Sequence, residues 1–205
     1  MNKITLKGII RDIEYSHTIN DVEYNQANLI CSRADGKEDI ISLKFKKFSN
    51  KYHEGDKVEL LGNIRSYSQK ISDTKNKVSL YVFTYFDTPS TNEEFEDFTN
   101  KVELDGRICK IDDLRTTSAG KENIHLVIAN NIISNDGKQK LNNYIPSVCW
   151  GKLAILASTL HVNDKISVIG ELHSRVYKKI LDNGEMELRT AHELVISSIE
   201  KIDEI

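Results

Sequence analysis

Aromatic rings set among cations are the groups in this sequence whose type and spacing point to chemistry. Lys44, Lys46 and Lys47 bracket Phe45, and Tyr177 stands between Arg175 and the pair Lys178-Lys179. A ring flanked by cations is a candidate for ligand contact rather than for core packing. For Phe45 the same alternation is also that of an ordinary half-buried strand. Trp150, the single tryptophan, shares a strand face with Val148, and by alternation alone it can point inward. Tyr177 lies close to a hairpin signal, Asp182-Asn183-Gly184, which is a poor place for a core ring.

Other chemistry finds no support. The six histidines (His17, His53, His125, His161, His173, His192) are scattered, with no His-x-x-x-His pair. Cys31, Cys109 and Cys149 are odd in number and fit no zinc or redox spacing, so they read as reduced, mostly buried thiols. No Gly-rich phosphate loop ends in Lys-Ser/Thr. The many acidic residues read as a solvated face. The chain is therefore expected to be no enzyme and to need no cofactor and no metal. Its net charge of −3 does not advertise a polyanionic ligand, although local distribution counts for more than the total.

The elements that must position these rings are strands, and they come twice. Asn2-Lys3-Ile4-Thr5-Leu6-Lys7-Gly8-Ile9-Ile10 returns as Asn100-Lys101-Val102-Glu103-Leu104-Asp105-Gly106-Arg107-Ile108. Gly55-Asp56-Lys57-Val58-Glu59-Leu60-Leu61-Gly62 returns as Asn163-Asp164-Lys165-Ile166-Ser167-Val168-Ile169-Gly170. Two ordered matches imply a duplicated domain of roughly 100 residues. Period-2 alternation dominates both copies and gives about five strands each. A short helix is expected at Lys152 to Leu160 and a shorter one at Phe48 to His53, between the third and fourth strands of each copy. Five strands with a helix there is the plan of an OB-fold barrel. The expectation is all-β: a first OB fold over 1–88, an acidic linker over 89–99 and a second OB fold over 100–205. Hydrophobic content of 39% and charged content of 29% suit a soluble globular protein. No apolar run approaches the ~18 residues that span a bilayer, so no membrane contact and a cytoplasmic location are expected.

The second copy resembles the bacterial single-stranded DNA-binding protein family. Five blocks carry the likeness in order: the opening Asn100 to Ile108; Leu114-Arg115-Thr116-Thr117-Ser118-Ala119-Gly120-Lys121; Ile128-Ala129-Asn130; Val148-Cys149-Trp150-Gly151-Lys152-Leu153-Ala154; and Val168-Ile169-Gly170-Glu171-Leu172-His173-Ser174-Arg175-Val176-Tyr177. The first copy keeps its opening strand, Ile41 to Lys47 and Gly62-Asn63-Ile64-Arg65-Ser66, and lacks the Trp-Gly-Lys-Leu-Ala block and the Arg-Thr-x-x-x-Gly turn.

That resemblance implies sequence-tolerant binding of single-stranded DNA, with bases stacked on rings and cations on phosphates. Carried over by residue, the stacking positions are Tyr144, Trp150 and Tyr177, with a fourth, near Ser134, missing. Arg107, Arg115, Lys121, Lys152 and Arg175 are the implied phosphate contacts. In the first copy Phe45 aligns with Trp150, with Lys44, Lys46 and Lys47 around it, while Asp39 and Gln69 fall opposite Tyr144 and Tyr177. The family usually presents four OB folds per unit, which implies a homodimer here. It often ends in a flexible tail with an acidic tip that recruits partners; with Ile199 to Ile205 closing the sequence, no such tail is expected here. Service in replication, recombination or repair, for the chromosome or a mobile element, is the implied role. The rival expectation is an OB-fold protein-interaction module that has lost its nucleic acid.

Overall fold

The computed structural model describes residues 1–47, 52–72, 75–89, 99–133, 140–180 and 184–202, the side chains of 69–72, 75–77 and 85–89 aside. The first copy is built from β1 (Asn2–Ile19), β2 (Val22–Ser32), β3 (Glu38–Lys46), β4 (Lys57–Ser72) and β5 (Lys75–Pro89). The second has β6 (Asn100–Ile111), a two-residue β7 (Arg115–Thr116), β8 (Glu122–Ile133), β9 (Lys140–Trp150), α1 (Lys152–Ala157), β10 (Lys165–Ile180) and β11 (Met186–Lys201). Each copy closes into a barrel through a parallel contact, Leu43 to Val82 in the first and Ser147 to Leu194 in the second. This is the expected all-β, OB-like plan.

Alternation decides the two faces. Ile4, Leu6, Leu29, Ile41, Leu43, Leu60, Ile64, Leu104, Ile108 and Leu126 are almost wholly buried, and the residues between them look outward. Four glycines allow the strands to approach closely. A Cβ at Gly8 or Gly106 would sit 2.6 Å from Ile30 O or 2.7 Å from Ala129 O. One at Gly62 or Gly170 would sit 2.6 Å from Phe83 O or 2.3 Å from Val195 O. The duplicated sequence places a glycine at the same crowded backbone in each copy.

The helix α1 is shorter than expected, ending at Ala157. Residues 158–160 continue as a turn, with Leu160 N donating to Ala157 O. The expected first-copy helix falls largely on 48–51, and the linker core, 90–98, likewise lies outside the described residues. So does the turn at 181–183, although its flanks pair as a hairpin, Ile180 with Met186.

The copies join about a pseudo-twofold axis. Strands β1 and β6 run antiparallel with Ile4 opposite Val102, each the counterpart of the other. Beside this seam Asn2 exchanges hydrogen bonds with Ile64 N (2.9 Å) and Ile64 O (2.9 Å), while Asn100 does the same with Leu172 N (3.0 Å) and Leu172 O (2.8 Å). The long hairpins then cross over. Ser174 N donates to Asp39 Oδ1 (2.6 Å) and Ile40 N to Ser174 Oγ (2.8 Å). In mirror fashion Ser66 N donates to Asn143 Oδ1 (3.0 Å) and Tyr144 N to Ser66 Oγ (2.8 Å). Each hairpin thereby covers the free edge of a strand of the other copy, β3 or β9, whose backbone groups would otherwise lack partners.

Candidate nucleic-acid interface

On the second copy two cross-strand rows meet the outward surface. Arg107 of β6 lies opposite Ala129 of β8, which lies opposite Tyr144 of β9. Arg115 of β7 lies opposite Asn123 of β8, which lies opposite Trp150 of β9. Opposed residues share a face, so each row sets an arginine, a short side chain and a ring across the same surface. Six residues separate the rows along β9, or about 20 Å. Tyr144 is 43% exposed and Trp150 36%. Alternation does not send Trp150 inward: Val148 is buried, but the interior residues of β9 are Asn143, Ile145, Ser147 and Cys149.

A tight turn completes the second row. Gly120 (φ +74°) donates to Thr117 O, and Lys121 N to Thr117 Oγ1 at 3.1 Å. Lys121 Nζ then sits 5.2 Å from the Trp150 ring centre, a cation over a π face. Lys152 follows Gly151 (φ +58°) as the exposed first residue of α1. Arg107 Nη1 donates to Asn163 O at 2.9 Å, which anchors that guanidinium at the rim.

The remaining expected residues lie elsewhere. Arg175 and the half-buried Tyr177 share the outward face of β10, beyond the Ser174 contact. They therefore stand on a hairpin docked against the first copy's β3, the strand of Lys44 and Lys46. The segment around Ser134 falls outside the described residues.

Phe45 requires a correction. It is 3% exposed and packs edge-on against Tyr52 at 5.1 Å, inside the first barrel, so neither of its faces is open to a base. The ladders show why. Leu43 meets Val82 of β5 where Ser147 meets Leu194 of β11, so three residues on Lys46, not Phe45, occupies the place of Trp150. By the same count Ile40, not Asp39, stands opposite Tyr144. Asp39 is the counterpart of Asn143, and both are buried polar groups that receive the partner hairpin. A slip of one residue moves every side chain to the other face. Lys46 is exposed, Lys44 is half-buried with Nζ 4.9 Å from the Tyr81 ring centre, and Lys47 is ion-paired with Glu23.

Among the described residues, the titratable groups form no reactive centre. Burial pushes the Cys31 and Cys149 thiols up to about 12, and Cys109, though exposed, is also raised by desolvation. Desolvation holds His192 below its usual range; its Nε2 donates to Ile40 O at 2.7 Å. Among the described residues no cluster of His, Cys, Asp and Glu is arranged to hold a metal ion.

The profile of the Single-strand binding protein family matches residues 99–202, just over half of the chain. The chain belongs to that family. Single-strand binding proteins are DNA-binding proteins and not enzymes, which agrees with the absence of a catalytic arrangement in the sequence. No curated protein matches the chain. Among solved structures it is similar to the wild-type single-stranded DNA binding protein from Thermus aquaticus, with TM-score 0.72, 19% identity, and coverage of 100% of this chain and 94% of that one. A deletion mutant of the same Thermus protein gives TM-score 0.73 and 19% identity, covering 100% and 96%. At that identity the likeness speaks for the fold, and it extends over both copies, whereas the family profile reaches only the second.

Proposed function

We propose that this chain binds single-stranded DNA with little sequence preference, chiefly through the outward face of the second copy. The two ring-and-arginine rows ending in Tyr144 and Trp150 carry the reading, with Lys121 over the tryptophan. Rings offer a stacking surface to any base, and Arg107, Arg115, Lys121 and Lys152 offer positive charge to the phosphates on either side. Tyr177 and Arg175 extend the ligand's path along the β10–β11 hairpin. A division into a first OB fold at 1–88, a linker at 89–99 and a second OB fold at 100–205 belongs to this reading, supported by the grouping of β1 to β5 and β6 to β11. A homodimer would present four OB folds, and coating of single strands in replication, recombination or repair, of a chromosome or a mobile element, is the cellular role. A cytoplasmic site of action goes with this; no described helix is long and apolar enough to cross a membrane.

Filter binding of oligo-dT, duplex DNA and RNA at two salt concentrations tests it. Oligo-dT is retained in preference to duplex. Its log affinity falls with log salt at about −0.7 per phosphate contacted, with binding that survives at ~0.5 M salt through stacking. Equal retention of duplex, or affinity flat with salt, would remove the reading.

A further inference from the structure

We propose that the first copy carries a second single-strand platform, made of Tyr24, Tyr81 and Tyr67 with Lys44, Lys46 and Arg65, and that one DNA strand runs onto it from Tyr144. The inference rests on the single-strand reading above and adds a site that the inherited pattern does not contain.

Alternation puts these six residues on one surface. Ala27 and Leu29 of β2 and Leu43 and Phe45 of β3 point inward, so Tyr24, Lys44 and Lys46 point out. Ile64 of β4 and Leu80 and Val82 of β5 point inward, so Arg65, Tyr67 and Tyr81 point out. The ladders place them side by side. Lys46 is opposite Tyr24, Lys44 is opposite Phe83, and Arg65 is opposite Tyr81. The contacts are those of a ring-and-cation surface. His17 stacks on Tyr24 at 4.9 Å with planes 6° apart, and Tyr24 lies 6.2 Å from Phe83. The Arg65 guanidinium carbon is 4.0 Å from the Phe83 ring centre, and Lys44 Nζ is 4.9 Å from that of Tyr81. Phe83, 8% exposed, forms the floor and takes no base itself.

None of this is the second copy's arrangement. Counting along the same ladders, Tyr24, Lys46, Phe83, Tyr81, Arg65 and Tyr67 correspond to Asn123, Trp150, Val195, Glu193, His173 and Arg175. The first copy has no ring at the three stacking positions, yet holds rings on neighbouring strands where the second copy has none. Cations occupy its third strand, where the second copy has a tryptophan. Loss of a site by drift predicts fewer rings and cations on this face; the structure has a different set of them in mutual contact.

The junction supplies continuity. Tyr67 is 61% exposed and follows Ser66, whose Oγ accepts the Tyr144 N–H. A strand lying on Trp150 and Tyr144 therefore meets Tyr67 as its next ring, and Arg65 and Tyr81 beyond it. At the other end Asp12 and Glu14, held by Asn28 and Gln26 at 2.9 and 2.5 Å, repel phosphate and bound the track near Lys44.

The test compares the full chain with a Tyr67→Ala/Tyr81→Ala double variant and a Lys46→Glu variant, on oligo-dT of about 8 and about 30 nucleotides, lengths chosen from the ~4–16 nucleotides an OB fold occupies. Trp150 fluorescence reports the second copy, labelled-oligonucleotide anisotropy the total affinity, and sedimentation the assembly. Expected is an unchanged short-oligonucleotide affinity and Trp150 quench in every protein, and a long-oligonucleotide affinity about tenfold or more weaker in each variant. Long-oligonucleotide binding equal to the parent's in both variants overturns the proposal. So does a halved mass with DNA binding intact, which would make the patch a contact between copies of this chain. Loss of short-oligonucleotide binding in both variants also overturns it, because the patch would then not be a separate platform. A parent protein whose Trp150 responds to no oligonucleotide would instead remove the single-strand reading itself.

Discussion

Replacing Trp150 by alanine separates a ligand platform from a packing residue. The ring is 36% exposed at the end of β9, outside the buried core cluster, with Lys121 Nζ 5.2 Å from its centre. A stacked base is worth ~1–3 kcal/mol, so Trp150→Ala should weaken oligo-dT binding by about 5- to 150-fold. A fully buried tryptophan would cost ~3–5 kcal/mol of stability on truncation. This one, with a third of its surface already in water and a cation on one side, should cost about 1–2 kcal/mol. At ~2–4 °C per kcal/mol for a chain of this size, the melting temperature should drop by about 2–8 °C. Labelled oligo-dT anisotropy gives the affinity of parent and variant alike. In the parent, quenching of the sole tryptophan should track the same isotherm, with no ambiguity of origin. A variant that binds like the parent, or one that melts ~15 °C lower, would show that the ring is structural and that the two-row reading is wrong.

Other outcomes follow from buried and crowded positions. Phe45→Ala should cost ~3–5 kcal/mol in a urea titration and leave the affinity of the folded fraction within about twofold; unchanged stability would contradict the edge-on packing against Tyr52. Gly170→Ala forces a Cβ to 2.3 Å from Val195 O and should destabilise by ~1–3 kcal/mol, read as a lower urea midpoint at constant slope. His192 has its folded pKa held below the unfolded value of 6.5, so its contribution is complete above pH 6.5 and is lost as pH falls through the folded pKa. Melting temperature should therefore decline between pH 7.5 and 5.5, and decline less in His192→Gln. Sedimentation equilibrium should give about twice the 23.4 kDa chain mass; a clean monomer at tens of micromolar would contradict the homodimer.

The duplication and the barrel plan were legible without coordinates because they rest on local signals. Asn2 and Asn100, Gly8 and Gly106, and Gly62 and Gly170 recur in order. Each pair does the same job in its copy: an amide that extends a ladder, or a missing Cβ where a carbonyl crosses. Period-2 alternation likewise marks which strands have a buried face. Alternation does not say which residue of one copy's strand matches which of the other. Between β3 and β9 the alignment by sequence was one residue off, and one residue is a whole face. That slip makes Phe45 a platform on paper and a core residue in the fold, casts Lys46 as a cation beside the ring when it holds the ring's place, and leaves Tyr24 unremarked. The hairpin crossings were equally out of reach. Asp39 paired with Ser174, or Tyr144 with Ser66, joins residues more than seventy positions apart through the pseudo-twofold seam, and no spacing within either copy encodes it. Local chemistry wrote the strands and their glycines; the register of β3 and the docking of each hairpin on the other copy's edge were decided by what the assembled barrels leave unpaired.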